Sequence, residues 1–164
     1  LKMQHCCILV IYAYLCFKSK TAMNFAAIFI SVVLFLFPHD DGWGILGRVK
    51  FTSKFYKQHN EYFLTPFLDS RIRAYEGKAF TLKGHYLPFD LEDKNTIIVS
   101  KYPYSACFFC GGAGPESVAE IHFKTRPPRF KADQVITVTG ILTLNEKDIT
   151  HMNFILRDAE VVRP

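Results

Sequence analysis

Two stretches of this chain carry a glycine inside an otherwise regular strand pattern, and nothing else in it restricts the fold so much. Ala79 to Leu87 reads as a strand with Phe80, Leu82 and Tyr86 on alternating positions and Gly84 in its interior. Gln134 to Leu144 alternates as well: Val135, Thr137 and Thr139 face one way, Ile136 and Val138 the other, and Gly140 falls in mid-run. A glycine inside a strand marks a bulge or a sharp bend. Long strands bent in this way can serve both halves of a small closed sheet.

The remaining elements fit that frame. Arg48 to Phe55 alternates and reads as a short strand, and Tyr56 to Phe63 as a loop or edge strand. Thr65-Pro66 predicts the start of a helix, with Thr as cap and Pro at the first helical position. Phe67, Leu68, Ile72 and Tyr75 then form its apolar face, and Gly77 stops it. Thr96 to Lys101 is a strand rich in β-branched residues. Val118 to Lys124 is another strand, or a short helix passing into one, and Asn153 to Val162 closes the sheet. About five strands with one short helix predict a mainly β fold, an OB-like small barrel, with a β-sandwich as the alternative. Asp41-Gly42-Trp43-Gly44 reads as a flexible start, with the single Trp packing on the body as an anchor.

The chain divides into an apolar N-terminal segment, 1–40, and one domain, 41–164, a single-domain length. The formal net charge of +5 misleads if read whole. Three of the twenty basic residues, Lys2, Lys18 and Lys20, lie in residues 1–37, which hold no acid. That leaves 17 basic against 15 acidic residues in the rest, a net of +2. Such a balance gives nucleic acid little to hold, although Lys124, Arg126, Arg129 and Lys131 gather near one Pro-rich loop.

Ala22 to Phe37 is uncharged, follows a basic flank and ends at Pro38-His39-Asp40-Asp41, the anatomy of a secretory signal. An uncleaved membrane anchor and a buried core helix are the alternatives, and Met23 offers a second start. The run is shorter than the ~20 residues that span a bilayer comfortably. Of five cysteines, Cys6, Cys7 and Cys16 lie in this segment, and only Cys107 and Cys110 in the domain. An even pair suits an oxidising compartment.

The candidate site is Cys107-Phe108-Phe109-Cys110-Gly111-Gly112-Ala113-Gly114-Pro115-Glu116. Three readings stand side by side. Cys107 and Cys110 form a small-loop disulfide that clips the turn. Alternatively they bind zinc, which needs four ligands and would draw on His151 or His85, with His122 and Glu116 as further donors. Or they act as a redox pair, for which the sequence around them supplies no thioredoxin-like pattern. Gly111, Gly112, Gly114 and Glu116 make up the ligand loop in each case. The glycine run lacks the Lys-Ser/Thr of a phosphate-binding loop, so a tight turn with positive φ is the simpler reading. Phe108 and Phe109 read as a plug for the end of the barrel.

The segments Tyr75-Glu76-Gly77-Lys78, Gly84-His85-Tyr86-Leu87-Pro88, Ser100 to Ser105, Cys107 to Ser117 and His151-Met152-Asn153-Phe154 together resemble an uncharacterised family of small exported bacterial proteins with an OB-like domain. The resemblance covers roughly Gly42 to Val162 and implies export and the barrel. It brings no activity, and family members carry a plainer signal peptide than this chain does.

The expected function is a non-catalytic binding or accessory module of the bacterial envelope, periplasmic or membrane-anchored through its N-terminus. Its partner would be an envelope protein or a small ligand. The alternative is a zinc- or thiol-dependent enzyme using Cys107 or Cys110, with His151 or Glu116 as acid/base.

Overall fold

Gly84 and Gly140 do bend their strands, and the sheet closes on itself. The computed structural model describes residues 42–162, which belong to one unit, Asp40–Pro164. The predicted signal segment, 1–40, lies outside the described residues. The elements are α1 (Gly42–Leu46), β1 (Lys50–Tyr56), β2 (Glu61–Phe67), α2 (Ser70–Arg73), β3 (Ala79–Leu87), β4 (Thr96–Ser100), β5 (Val118–Phe123), β6 (Val135–Leu144) and β7 (Phe154–Val161). Five strands form a closed barrel in the order β3-β4-β5-β7-β6. Every neighbouring pair is antiparallel except β5 and β7. The fold is mainly β and OB-like.

β3 serves both halves of the sheet. Ala79 to His85 pair with β6, and His85 to Leu87 pair with β4. The crossover point is Gly84, where a Cβ would run into the Ser100 carbonyl oxygen. Gly140 sits at a register shift between β6 and β7, and a Cβ there would come 2.8 Å from the Arg157 carbonyl oxygen. Inside the barrel Leu82, Val99, Ala119, Ile121, Val138, Leu142, Phe154 and Leu156 are buried. They come from all five strands at period 2, the alternation a half-buried strand requires.

Asp41 to Gly44 reads as a flexible start, but residues from Gly42 on form the helical turn α1, packed on β3. A side chain at Gly42 would meet the Thr81 carbonyl oxygen at 2.5 Å, so only glycine allows that approach. Trp43 is the expected anchor. Its ring is buried and its Nε1–H donates to the Lys83 carbonyl at 2.8 Å. Replacing Trp43 with Phe should keep most of the burial and lose the donor, at a cost of about 1–2 kcal/mol. A thermal scan showing no fall in Tm would contradict this.

β1 and β2 form a two-stranded hairpin separate from the barrel sheet, paired from Lys50↔Phe67 to Tyr56↔Glu61. The helix predicted from Thr65-Pro66 is therefore wrong at its start: both residues lie in β2. Thr65 and Pro66 pair with Thr52 and Phe51, and the helix begins at Ser70. Asp69 is the actual cap, its carboxylate accepting from the Arg71 and Ile72 N–H groups at 3.0 and 3.2 Å. Proline is tolerated because each strand of a two-stranded ribbon is an edge. A hairpin alone is marginal, and this one is tied to the barrel where Phe51 packs edge-on against Phe154, with ring centroids 6.3 Å apart. The helix ends at Arg73 with Ala74 as its C-cap, so the stop predicted at Gly77 lies beyond it. Gly77 is left-handed and turns the chain into β3 with its N–H on the Leu142 carbonyl. Among the described residues no helix is long and apolar enough to cross a membrane.

Candidate metal centre on the outer face of the barrel

β5 turns Ala119, Ile121 and Phe123 into the core, so Val118, Glu120 and His122 face outward. Glu120 lies between Ile98 of β4 and Ile155 of β7, its register partners, and all three are buried. A lone carboxylate there would be costly, and three donors converge on it. Its Oε1 lies 2.6 Å from His122 Nε2 and 2.9 Å from His151 Nδ1, and its Oε2 accepts the Met152 N–H at 2.9 Å. Burial by itself would raise the Glu120 carboxyl pKa. The Met152 N–H and the two histidines outweigh it and hold the group below its ordinary value of 4.5.

The β6–β7 turn delivers His151. Asn145 organises it: its Oδ1 accepts from the Lys147 and Asp148 N–H groups, and its Nδ2 donates to the Asp148 carbonyl at 2.6 Å and to those of His151 and Met152 at 3.3 Å. Asp148 in turn accepts from the Thr150 N–H and hydroxyl. The histidine is thus half-exposed but held on an ordered loop. His151 and Met152 also line a cleft of about 260 Å³, whose walls include Tyr62 and Leu64 of the hairpin and Phe108 of the Cys loop.

Among the described residues, Glu120, His122 and His151 are the group of three ligand atoms gathered within 4.8 Å of one another. Two imidazoles and a carboxylate suit zinc and neighbouring d-block cations, which take such ligands at about 2.0–2.2 Å. Contacts of 2.6 and 2.9 Å mean that a cation would take the place of the protons now shared between the rings and the carboxylate. The Met152 N–H on the second carboxylate oxygen is the kind of outer contact that orients a metal ligand. Three protein ligands leave a coordination position open.

The structure divides the ligand set expected from sequence. His151 belongs with Glu120 and His122 instead of the thiols. His85 Nδ1 lies 3.2 Å from the Asp133 carbonyl oxygen. That same Asp133 accepts the Tyr104 N–H at 2.6 Å and so pins the entrance of the Cys loop. Cys107 and Cys110 are two thiols with sulfurs 3.9 Å apart. Cys107 is buried in a small apolar cluster with Leu87 and Ile98, bordered by Phe89, Leu91 and Met152. Cys110 is exposed, and loss of hydration at its sulfur together with the Cys107 thiol pushes its pKa up. That leaves less thiolate at neutral pH, the opposite of what an activated nucleophile needs.

The glycines of this loop have separate tasks. Gly111 is left-handed (φ 77°) and caps the turn Phe108–Cys110. Gly112 lies against the Ala106 backbone, where a Cβ would come 2.7 Å from its carbonyl oxygen. A Cβ at Gly114 would strike the carboxylate of Glu116, which folds back over its own turn. Phe109 packs on Phe89 and Phe108 at 4.7 and 5.3 Å and is still partly in solvent. Phe89 borders the cluster of Leu87, Ile98 and Cys107, which is separate from the barrel core, so these aromatics cover that cluster and do not plug the barrel as the sequence predicts.

The sequence does not single out Glu120, and it offers His122 only as a further zinc donor beside the thiols, in a strand that also gives it an ordinary role. The signal was Glu120-Ile121-His122, in which the core role of Ile121 puts both polar groups on the outer face. No family model, no curated protein and no solved structure matches this chain.

Proposed function

We propose that this domain is a non-catalytic binding module that holds one divalent d-block cation at Glu120, His122 and His151. The convergence of both imidazoles on one oxygen of a buried carboxylate carries this reading. A cation there would have its open position available to a small ligand or a partner protein. The setting we propose is the bacterial envelope, with export directed or anchoring provided by the apolar segment Ala22 to Phe37, and it rests on that segment's signal-like anatomy.

Native mass spectrometry of the zinc-loaded protein tests the site. One zinc per chain is expected, retained in Cys107→Ser and weakened about 100-fold or more in His122→Ala and His151→Ala. Zinc lost in Cys107→Ser and kept in the histidine variants would return the metal to the thiols. A protein that takes no zinc in any form would remove the metal reading and leave Glu120 as an internal tie between β5 and the β6–β7 turn.

A further inference from the structure

A second concave surface lies away from the Glu120 cluster and shares no lining residue with it. It is a groove of about 600 Å³ between α1, the base of the hairpin and α2. We propose that this groove binds a single-chain amphiphilic anion, with an acyl tail on its apolar floor and a carboxylate or phosphate head at its basic rim.

Volume and lining both favour such an occupant. The groove is within the usual range for small-molecule sites. Buried Val49 and Ile72 make its floor, and Phe67 and Tyr75 flank it. Phe67 is 67% exposed, a large aromatic surface left in water beside an apolar recess. The rim supplies the charge. Lys50, Arg71 and Lys78 line the groove with Asp69 as its carboxylate. Asp69 is already committed: it caps α2 and pairs with Arg71 at 2.8 Å. Lys50 and Lys78 make no ion pair among the described residues. An uncharged apolar ligand would leave those ammonium groups unanswered, and a cationic one would be repelled. A bare inorganic anion would leave the apolar floor in water.

Calorimetric titration of the full chain with laurate, below its micelle concentration, tests this. Saturable binding of one laurate per chain is expected, with dodecyltrimethylammonium at least about tenfold weaker although its tail is as long. Lys50→Glu combined with Lys78→Glu should weaken laurate about tenfold or more and relieve the discrimination against the cation. Phe67→Ser should weaken both ligands. All three positions are exposed, so circular dichroism should show the fold kept. Dodecyl phosphate separates the sources of the head group: binding stronger than inorganic phosphate supports the tail's role. Inorganic phosphate binding as tightly as dodecyl phosphate would overturn the proposal, because the site would then read charge alone. Laurate bound equally well by the double variant would overturn it too, since uptake would then lie elsewhere on the chain.

Discussion

Gly84→Ala should destabilise the domain by about 3 kcal/mol or more, far beyond the usual cost of a surface substitution. The added methyl would run into the Ser100 carbonyl oxygen and come within 2.9 Å of Val99 Cγ1. One obstacle is main chain and the other belongs to a fully buried valine, so neither can swing aside like an exposed side chain. Relief requires β3 and β4 to separate where β3 passes from β6 to β4, and that is where the barrel closes. Gly111→Ala is the matched control. Nothing lies within 4 Å of its Cβ position, and only the left-handed φ of 77° is strained. Its cost should be about 1 kcal/mol. Denaturant titration of the two variants decides the point, and equal midpoints would mean that the close approach at Gly84 is not what closes the barrel.

Glu120→Ala should cost about 2–3 kcal/mol and roughly 10 °C in Tm. Two histidines and the Met152 N–H lose their shared acceptor, and the β6–β7 turn loses its tie to β5. The same variant should abolish zinc binding, since among the described residues no other carboxylate joins the cluster. Glu120→Gln keeps the shape and removes the charge, which separates the two roles. Because its folded pKa is depressed, Glu120 contributes stability that is fully present above its ordinary value of 4.5. That contribution is lost as the pH falls through the lower folded value. The Gln variant should therefore show a smaller loss of stability between pH 5 and strong acid than the parent, measured without added metal. Acid limbs that superimpose would show that the carboxylate is not held ionised by its donors.

Much of the barrel was legible because its determinants are local. Alternation in Ala79–Leu87 and Gln134–Leu144 marked β3 and β6, and their internal glycines marked the bends. The helix before β3 was placed too early because Thr65-Pro66 satisfies the local rules for a helix start. Pairing of Thr65 with Thr52 and Pro66 with Phe51 outweighs that preference, and pairing between strands cannot be read from a capping signal.

The Cys loop stood out by composition, yet the structure shows its glycines occupied with turn geometry and close backbone approach. The cluster that gathers ligand atoms joins His151 and His122, which the sequence offers as partners of the thiols, to Glu120, which it does not single out. Taken alone, the sequence determined the strands of the barrel, the bends that permit closure, the Trp43 anchor and a positive-φ turn within the Gly111–Gly114 run. Each of these follows from residue type and near-neighbour spacing. Only the tertiary structure decided that His151, 31 residues beyond Glu120, meets it and His122 on the outer face. That meeting depends on the parallel pairing of β5 with β7 and on Asn145 folding the turn between β6 and β7. The β5–β7 pairing draws its energy from residues far apart along the chain, which no local pattern encodes, whereas the Asn145 bonds are local and only the turn's approach to Glu120 is not.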